Sequence, residues 1–142
     1  MKVKKGWKYL KFEKLISDGN KKTISVSGGE VEGHNLPKDE FIHQLKLKLV
    51  EEANEVLVAK DIDETTDEIG DVLEVLQTLI KQMKIKKRKI RKARKVKAKF
   101  RGKFKKGFYC NYVYFPKDVH EKWMDKYEDI TNDLIEKFGL ED

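Results

Sequence analysis

Cysteine, histidine, proline and long apolar runs are all scarce in this chain, and each scarcity removes a class of protein. The single cysteine, Cys110, excludes an intramolecular disulfide, and without a His or Asp partner nearby it reads as a small apolar filler rather than a nucleophile. His34, His43 and His120 are the three histidines. None stands at ligand spacing from another, and His43 falls away from the apolar side of its segment, so all three are left out of the site. Pro37 and Pro116 are the two prolines. No apolar run approaches the length of a membrane span, and the Lys-rich N-terminus has no apolar signal segment behind it. A cytoplasmic location and no membrane partner are therefore expected. Acid is the most unevenly missing. None occurs from Val75 through Lys117, a window that holds 17 of the 32 Lys and Arg residues. The remainder carries 15 bases against 25 acids, so the net charge of +7 is a local basic block. Such a block invites a polyanion, either nucleic acid or the phosphates of a nucleotide.

What is present fits one domain with a modest core: 142 residues, 39% hydrophobic and 40% charged. Residues 1 to 36 are the least patterned, with Trp7, Tyr9, Leu10, Phe12, Leu15 and Ile16 as anchors. Thr23 to Ser27 reads as a short strand, and Gly28, Gly29 and Gly33 mark a loop. A helix is predicted from Lys38, just after Pro37, to about Ala59. A second is predicted from about Glu64 to Met83, N-capped by Asp63, with Gly70 inside it, where glycine costs about 1 kcal/mol relative to alanine. A third, strongly basic helix spans Lys86 to Lys99, and a basic loop follows through Gly107. Phe108 to Phe115 reads as a strand or extended aromatic arm ended by Pro116. Asp118 to Phe138 reads as an amphipathic helix with one acidic side, packing on the domain or on a second subunit.

The first two helices carry paired acids: Glu52 and Glu55 on one, Glu68 and Asp71 on the other. Ile42, Leu45, Leu49, Ala53 and Val56 form the apolar stripe of the first; Ile69, Val72, Val75, Leu76, Leu79 and Met83 form that of the second. At roughly 100° per residue, Glu52 and Glu68 each lie about 60° from the centre of their stripe, and Glu55 and Asp71 about 120°. If the stripes pack, with Lys60 to Asp63 as the turn, both pairs reach the same rim of the interface. Four acids so placed form an all-oxygen site for a hard divalent cation. Acids at this spacing also serve as ordinary solubilising charge, and the matched offset on two helices is what favours the site. Glu51 points further toward solvent.

The string Leu45-Lys46-Leu47-Lys48-Leu49-Val50-Glu51-Glu52-Ala53-Asn54-Glu55-Val56, followed by Asp67-Glu68-Ile69-Gly70-Asp71-Val72-Leu73-Glu74-Val75-Leu76, resembles the all-α nucleoside triphosphate pyrophosphohydrolases. It looks most like their MazG-like and phosphoribosyl-ATP-pyrophosphohydrolase-like branch. Lys97-x-x-x-Arg101-Gly102-x-Phe104 is similar to that branch's basic ending, with Lys103 where a second glycine stands. The resemblance covers roughly residues 38 to 115. The segment Lys14-Leu15-Ile16-Ser17-Asp18-Gly19 departs from the branch's usual N-terminal motif, and the helix after Pro116 has no counterpart.

The resemblance implies an all-α helical bundle of the nucleoside triphosphate pyrophosphohydrolase type for a domain at residues 1–116; the short N-terminal strand, the aromatic arm and the separate C-terminal helix at 117–142 are read from the residue pattern. It implies a nucleotide pyrophosphohydrolase that cleaves a nucleoside triphosphate, or a related nucleotide, to a monophosphate and pyrophosphate. Glu52, Glu55, Glu68 and Asp71 would hold Mg²⁺ or Mn²⁺, and Glu51 or one of the ligand acids would orient the attacking water. The absence of His and Cys from this set disfavours zinc and a Glu-x-x-His di-iron centre. Arg94, Lys97 and Arg101, with Lys99, would contact the substrate phosphates, and Phe104 or Tyr109 could face a base. A homodimer or homotetramer would complete the core. Two other readings stand beside this one. The basic 84–106 segment could bind nucleic acid, or the fold could serve as an inactive scaffold whose acidic C-terminal helix docks a partner.

Overall fold

A computed structural model describes residues 4–121, and these are helical with no strand among them. Four helices lie wholly within that range: α1 (Asn20–Val26), α2 (Lys38–Val58), α3 (Ile62–Gln82) and α4 (Lys87–Arg101). The chain divides into two units, Met1–Phe100 and Arg101–Asp142, the second beginning at the last residue of α4.

The predicted N-terminal strand is α1 instead. Its β-branched residues are Thr23, Ile24 and Val26, and no strand among the described residues offers them a ladder partner. Local hydrogen bonds decide for the helix: Thr23 Oγ1 donates to Gly19 O at 3.2 Å and Ser27 Oγ to Thr23 O at 3.0 Å. The glycine pair then ends it. Gly28, at φ +85°, donates its N–H to Ser25 O, and Gly29 donates to Ile24 O at 2.9 Å, the two bonds of a Schellman cap. A Cβ on Gly29 would meet Ile24 Cγ2 at 2.7 Å, so glycine is required there by space as well. Of the predicted N-terminal anchors, only Leu15 and Ile16 are half-buried. Trp7, Tyr9, Leu10 and Phe12 are exposed, Trp7 lying beneath the Lys4 ammonium at 4.9 Å.

Pro37 caps α2, where its missing N–H costs nothing, and Asp39 and Glu40 place negative charge in the first turn, against the positive end of the helix dipole. The turn to α3 is Ala59 to Asp61, and the cap is Asp61 rather than Asp63. Asp61 Oδ1 accepts from the N–H groups of Asp63 at 3.0 Å and Glu64 at 2.9 Å, while Glu64 Oε2 accepts from Lys60 N at 2.9 Å. This reciprocal pair is a capping box displaced by one residue, and it sets the start of α3 two residues before the predicted one. So short a connection returns the chain antiparallel, and α2 packs along α3.

The packed face is rotated from the predicted stripes. Leu45 and Val75 are the buried apolar residues and Glu52 is the buried charged one; Leu49, Val56, Val72, Leu76 and Leu79 are half-buried beside them, whereas Ala53 is exposed and Ile69 and Met83 are 46% and 43% exposed. On an ideal helix this puts Glu52 and Glu68 within about 30° of the centre of their contact faces, not 60°, and Asp71 about 90° away.

α4 forms no comparable packing with α2 or α3. In the second unit, residues 108–115 take no regular structure, and a further helix starts at residue 117. The predicted stripe from Trp123 to Phe138 lies outside the described residues. Cys110 is exposed, not an apolar filler, its thiol 3.5 Å from Tyr112 O, and all three histidines are exposed. No helix of the described residues is long and apolar enough to cross a membrane.

Candidate metal centre

The α2–α3 hairpin brings Glu52, Glu55 and Glu68 together, each offering a carboxylate oxygen within 4.8 Å of the others. The reason is the rotation just described. Glu52 and Glu68 face across the helix contact, and Glu55 follows Glu52 by one turn on the same side. Asp71, also predicted for this site, is exposed and stands outside the cluster of three.

Glu52 is 3% exposed. Its Oε1 accepts from Lys48 Nζ at 2.6 Å, which half-neutralises it from the adjacent turn. Its Oε2 is buried with no hydrogen-bond donor. A buried carboxylate oxygen without a donor is costly, and the residue that carries it is grouped with two further acids. Glu55 shows the strain of this crowding: burial, then the charge of Glu52 and its contacts with Glu52 and Glu68, push its carboxyl above the ordinary value. Only a proton or a cation turns three such oxygens from mutual repulsion to attraction. The donor set, all carboxylate on two rigid helices, suits a hard divalent ion. The orphaned Glu52 oxygen is where such an ion would be used.

Glu51 has a different environment. Its Oε1 accepts from Lys14 at 2.5 Å and from Lys48 at 3.1 Å. Burial pushes Glu51 up, but these two hydrogen bonds outweigh it and hold the carboxyl below the ordinary range. Lys48 bridges both acids; burial lowers it, and its bonds to Glu52 and Glu51 more than reverse that. Lys14 ties the N-terminal segment onto α2, where Leu15, Leu47 and Gln44 complete a small cavity beside Glu51. Neither lysine was singled out from sequence. Lys48 carried a usable signal, since a base three and four residues before two acids on a helix reaches both. Lys14 carried none, because its contact spans 37 positions.

The predicted phosphate contacts are distributed over α4 and the second unit. Arg94 and Lys97 lie on α4, exposed and without an ion-pair partner among the described residues. Arg101 belongs to the second unit, as do Phe104 and Tyr109, which are 102% and 83% exposed. Searches against family models, curated proteins and solved structures return no match.

Proposed function

We propose that the acidic cluster binds Mg²⁺ or Mn²⁺ and that the protein is a nucleotide pyrophosphohydrolase, cleaving a nucleoside triphosphate or a related nucleotide to a monophosphate and pyrophosphate. The observation that carries this reading is the clustering of Glu52, Glu55 and Glu68 with one Glu52 oxygen buried and without a hydrogen-bond partner, joined to the resemblance of the two acid motifs to the all-α nucleoside triphosphate pyrophosphohydrolases.

Glu52, Glu55 and Glu68 would hold the ion, with Asp71 completing the set from its place at the rim. Through an ion held by these carboxylates, the site would supply charge neutralisation for a phosphate substrate and a more acidic water. Glu51, kept ionised by Lys14 and Lys48, is available to accept a hydrogen bond from that water and orient it. Lys48, fixed between Glu51 and Glu52, sets the position of both carboxylates. Arg94, Lys97 and Arg101 would meet the phosphates. The reading includes a homodimer or homotetramer, whose second copy could carry those bases to the acids of the first.

Pyrophosphate release from a panel of standard and modified nucleotides, with and without Mg²⁺, tests it. Turnover should require the metal. Glu52→Gln should lower it by at least about 100-fold, the scale of losing a group that stabilises the transition state. In the same variant the metal-induced rise in melting temperature should vanish; in the parent, metal at a hundred times its dissociation constant adds about 2.7 kcal/mol. Metal-independent turnover, or full activity in Glu52→Gln, would reject the assignment.

A further inference from the structure

α4 carries a charge pattern that the nucleotide reading leaves mostly unused. Ten of its fifteen residues are Lys or Arg and none is acidic. All ten are exposed, and among the described residues none makes an ion pair. Every ion pair of the described residues involves Lys4, Lys11, Lys14 or Lys48, so no acid among the described residues pairs with the basic block. Like charges three and four residues apart weaken a helix, and three bases in its first turn oppose the positive end of the dipole. The nucleotide reading uses only Arg94, Lys97, Lys99 and Arg101 of this set.

Projected at 100° per residue, eight of the ten bases fall within about 180° of arc. The other two, Lys89 and Lys97, interrupt the apolar side formed by Ile90, Ala93, Val96 and Phe100. That interruption argues against a bilayer, because a membrane-surface helix needs a continuous apolar face to bury. Over its length of about 22 Å, α4 would face a charge line that only a regular polyanion matches. Duplex DNA carries one charge per about 1.7 Å of axis. An α-helix with its side chains, about 10–12 Å across, also fits the major groove of B-DNA, about 12 Å wide, and not the deep, narrow one of duplex RNA. Half a circumference of bases then reaches the phosphates of both flanking strands.

We propose that α4 is a double-stranded DNA-binding helix that lies in the major groove and contacts the phosphate backbone. Its only polar side chains are Lys and Arg, which serve the phosphates; with no Asn, Gln or acid it has no reader of adenine or cytosine, and any base preference is for guanine. The proposal is independent of the acidic cluster and of any nucleotide activity.

Fluorescence anisotropy of the full chain with a labelled duplex of about 20 base pairs tests it, in chelator to remove divalent ions. With about six phosphates neutralised, affinity should fall about a thousandfold between 50 and 200 mM salt. Replacing Lys87, Arg88, Arg91 and Lys95 together by Gln, a good helix former, should cut the slope of log affinity against log salt by about three to four while circular dichroism shows the helices retained. Glu52→Gln should bind DNA as the parent does, which separates this result from failure of the metal site. Absent binding at 50 mM salt, unchanged binding by the fourfold variant, tighter binding to duplex RNA of the same sequence, or preference for vesicles of equal phosphatidylserine and phosphatidylcholine would each overturn the proposal.

Discussion

Glu55 concentrates the electrostatic conflict of the α2–α3 hairpin. Its ordinary value is 4.5 and its folded value is higher, through burial and the neighbouring Glu52 and Glu68. A carboxyl raised in the folded state binds more protons there than in the unfolded chain. Its stabilising contribution is complete below about pH 4.5 and disappears as pH rises through the folded value. Glu51 behaves oppositely: it is lowered, so its contribution is present above its ordinary value and is lost as pH falls through the folded one. The two windows lie on opposite sides of pH 4.5. In metal-free protein, the melting temperature of Glu55→Gln should therefore gain on the parent as pH rises from 4.5 toward 7. A difference independent of pH over that range would mean that the three carboxyls are not crowded. Residue identities and spacing made Glu52, Glu55 and Glu68 legible as a group, because helical periodicity is a property of sequence. They could not tell that Glu52 would be buried or that Lys48 and Lys14 would divide the acids into a paired set and an unpaired one.

α2 and α3 were readable to within two residues at their ends, since two long amphipathic patterns separated by a capping signal leave little choice. α1 was misread because β-branched residues favour strands only where a pleated surface receives them, and Thr23 and Ser27 supplied helical hydrogen bonds instead. Gly70 gives an element-scale prediction. It lies in the interior of α3, and a Cβ there would meet nothing within 4 Å. Gly70→Ala should raise stability by about 1 kcal/mol, as glycine relinquishes its propensity cost, or about 2–4 °C in melting temperature for a chain of this size. Denaturant and thermal unfolding would both register it. A loss of stability instead would show that a second body presses against that face.

Across the whole molecule, the described residues bury little apolar surface: Leu45 and Val75 are the buried aliphatic residues, while Leu57, Val58 and Ile62 beside the hairpin turn are 79%, 71% and 79% exposed. Burying a side chain of this kind fully is worth about 1.5–3 kcal/mol. On the proposed homo-oligomer, such residues would supply the missing core. The melting temperature should then rise with protein concentration, and light scattering should return two or four times the chain mass of 16.7 kDa. A concentration-independent transition at the mass of one chain would remove the oligomer from the proposal.

The sequence by itself determined the hairpin of two long helices, the nearness of Glu52, Glu55 and Glu68, and the separation of acid from base along the chain. These are local or periodic properties, written in nearest neighbours and in the 3.6-residue repeat. Only the tertiary structure decided which face of each helix turned inward, and so which acid was buried, which stayed at the rim and which was claimed by lysine. A rotation of about 30° separates the predicted faces from the observed ones. That angle depends on how two surfaces pack against each other, and no single segment contains it.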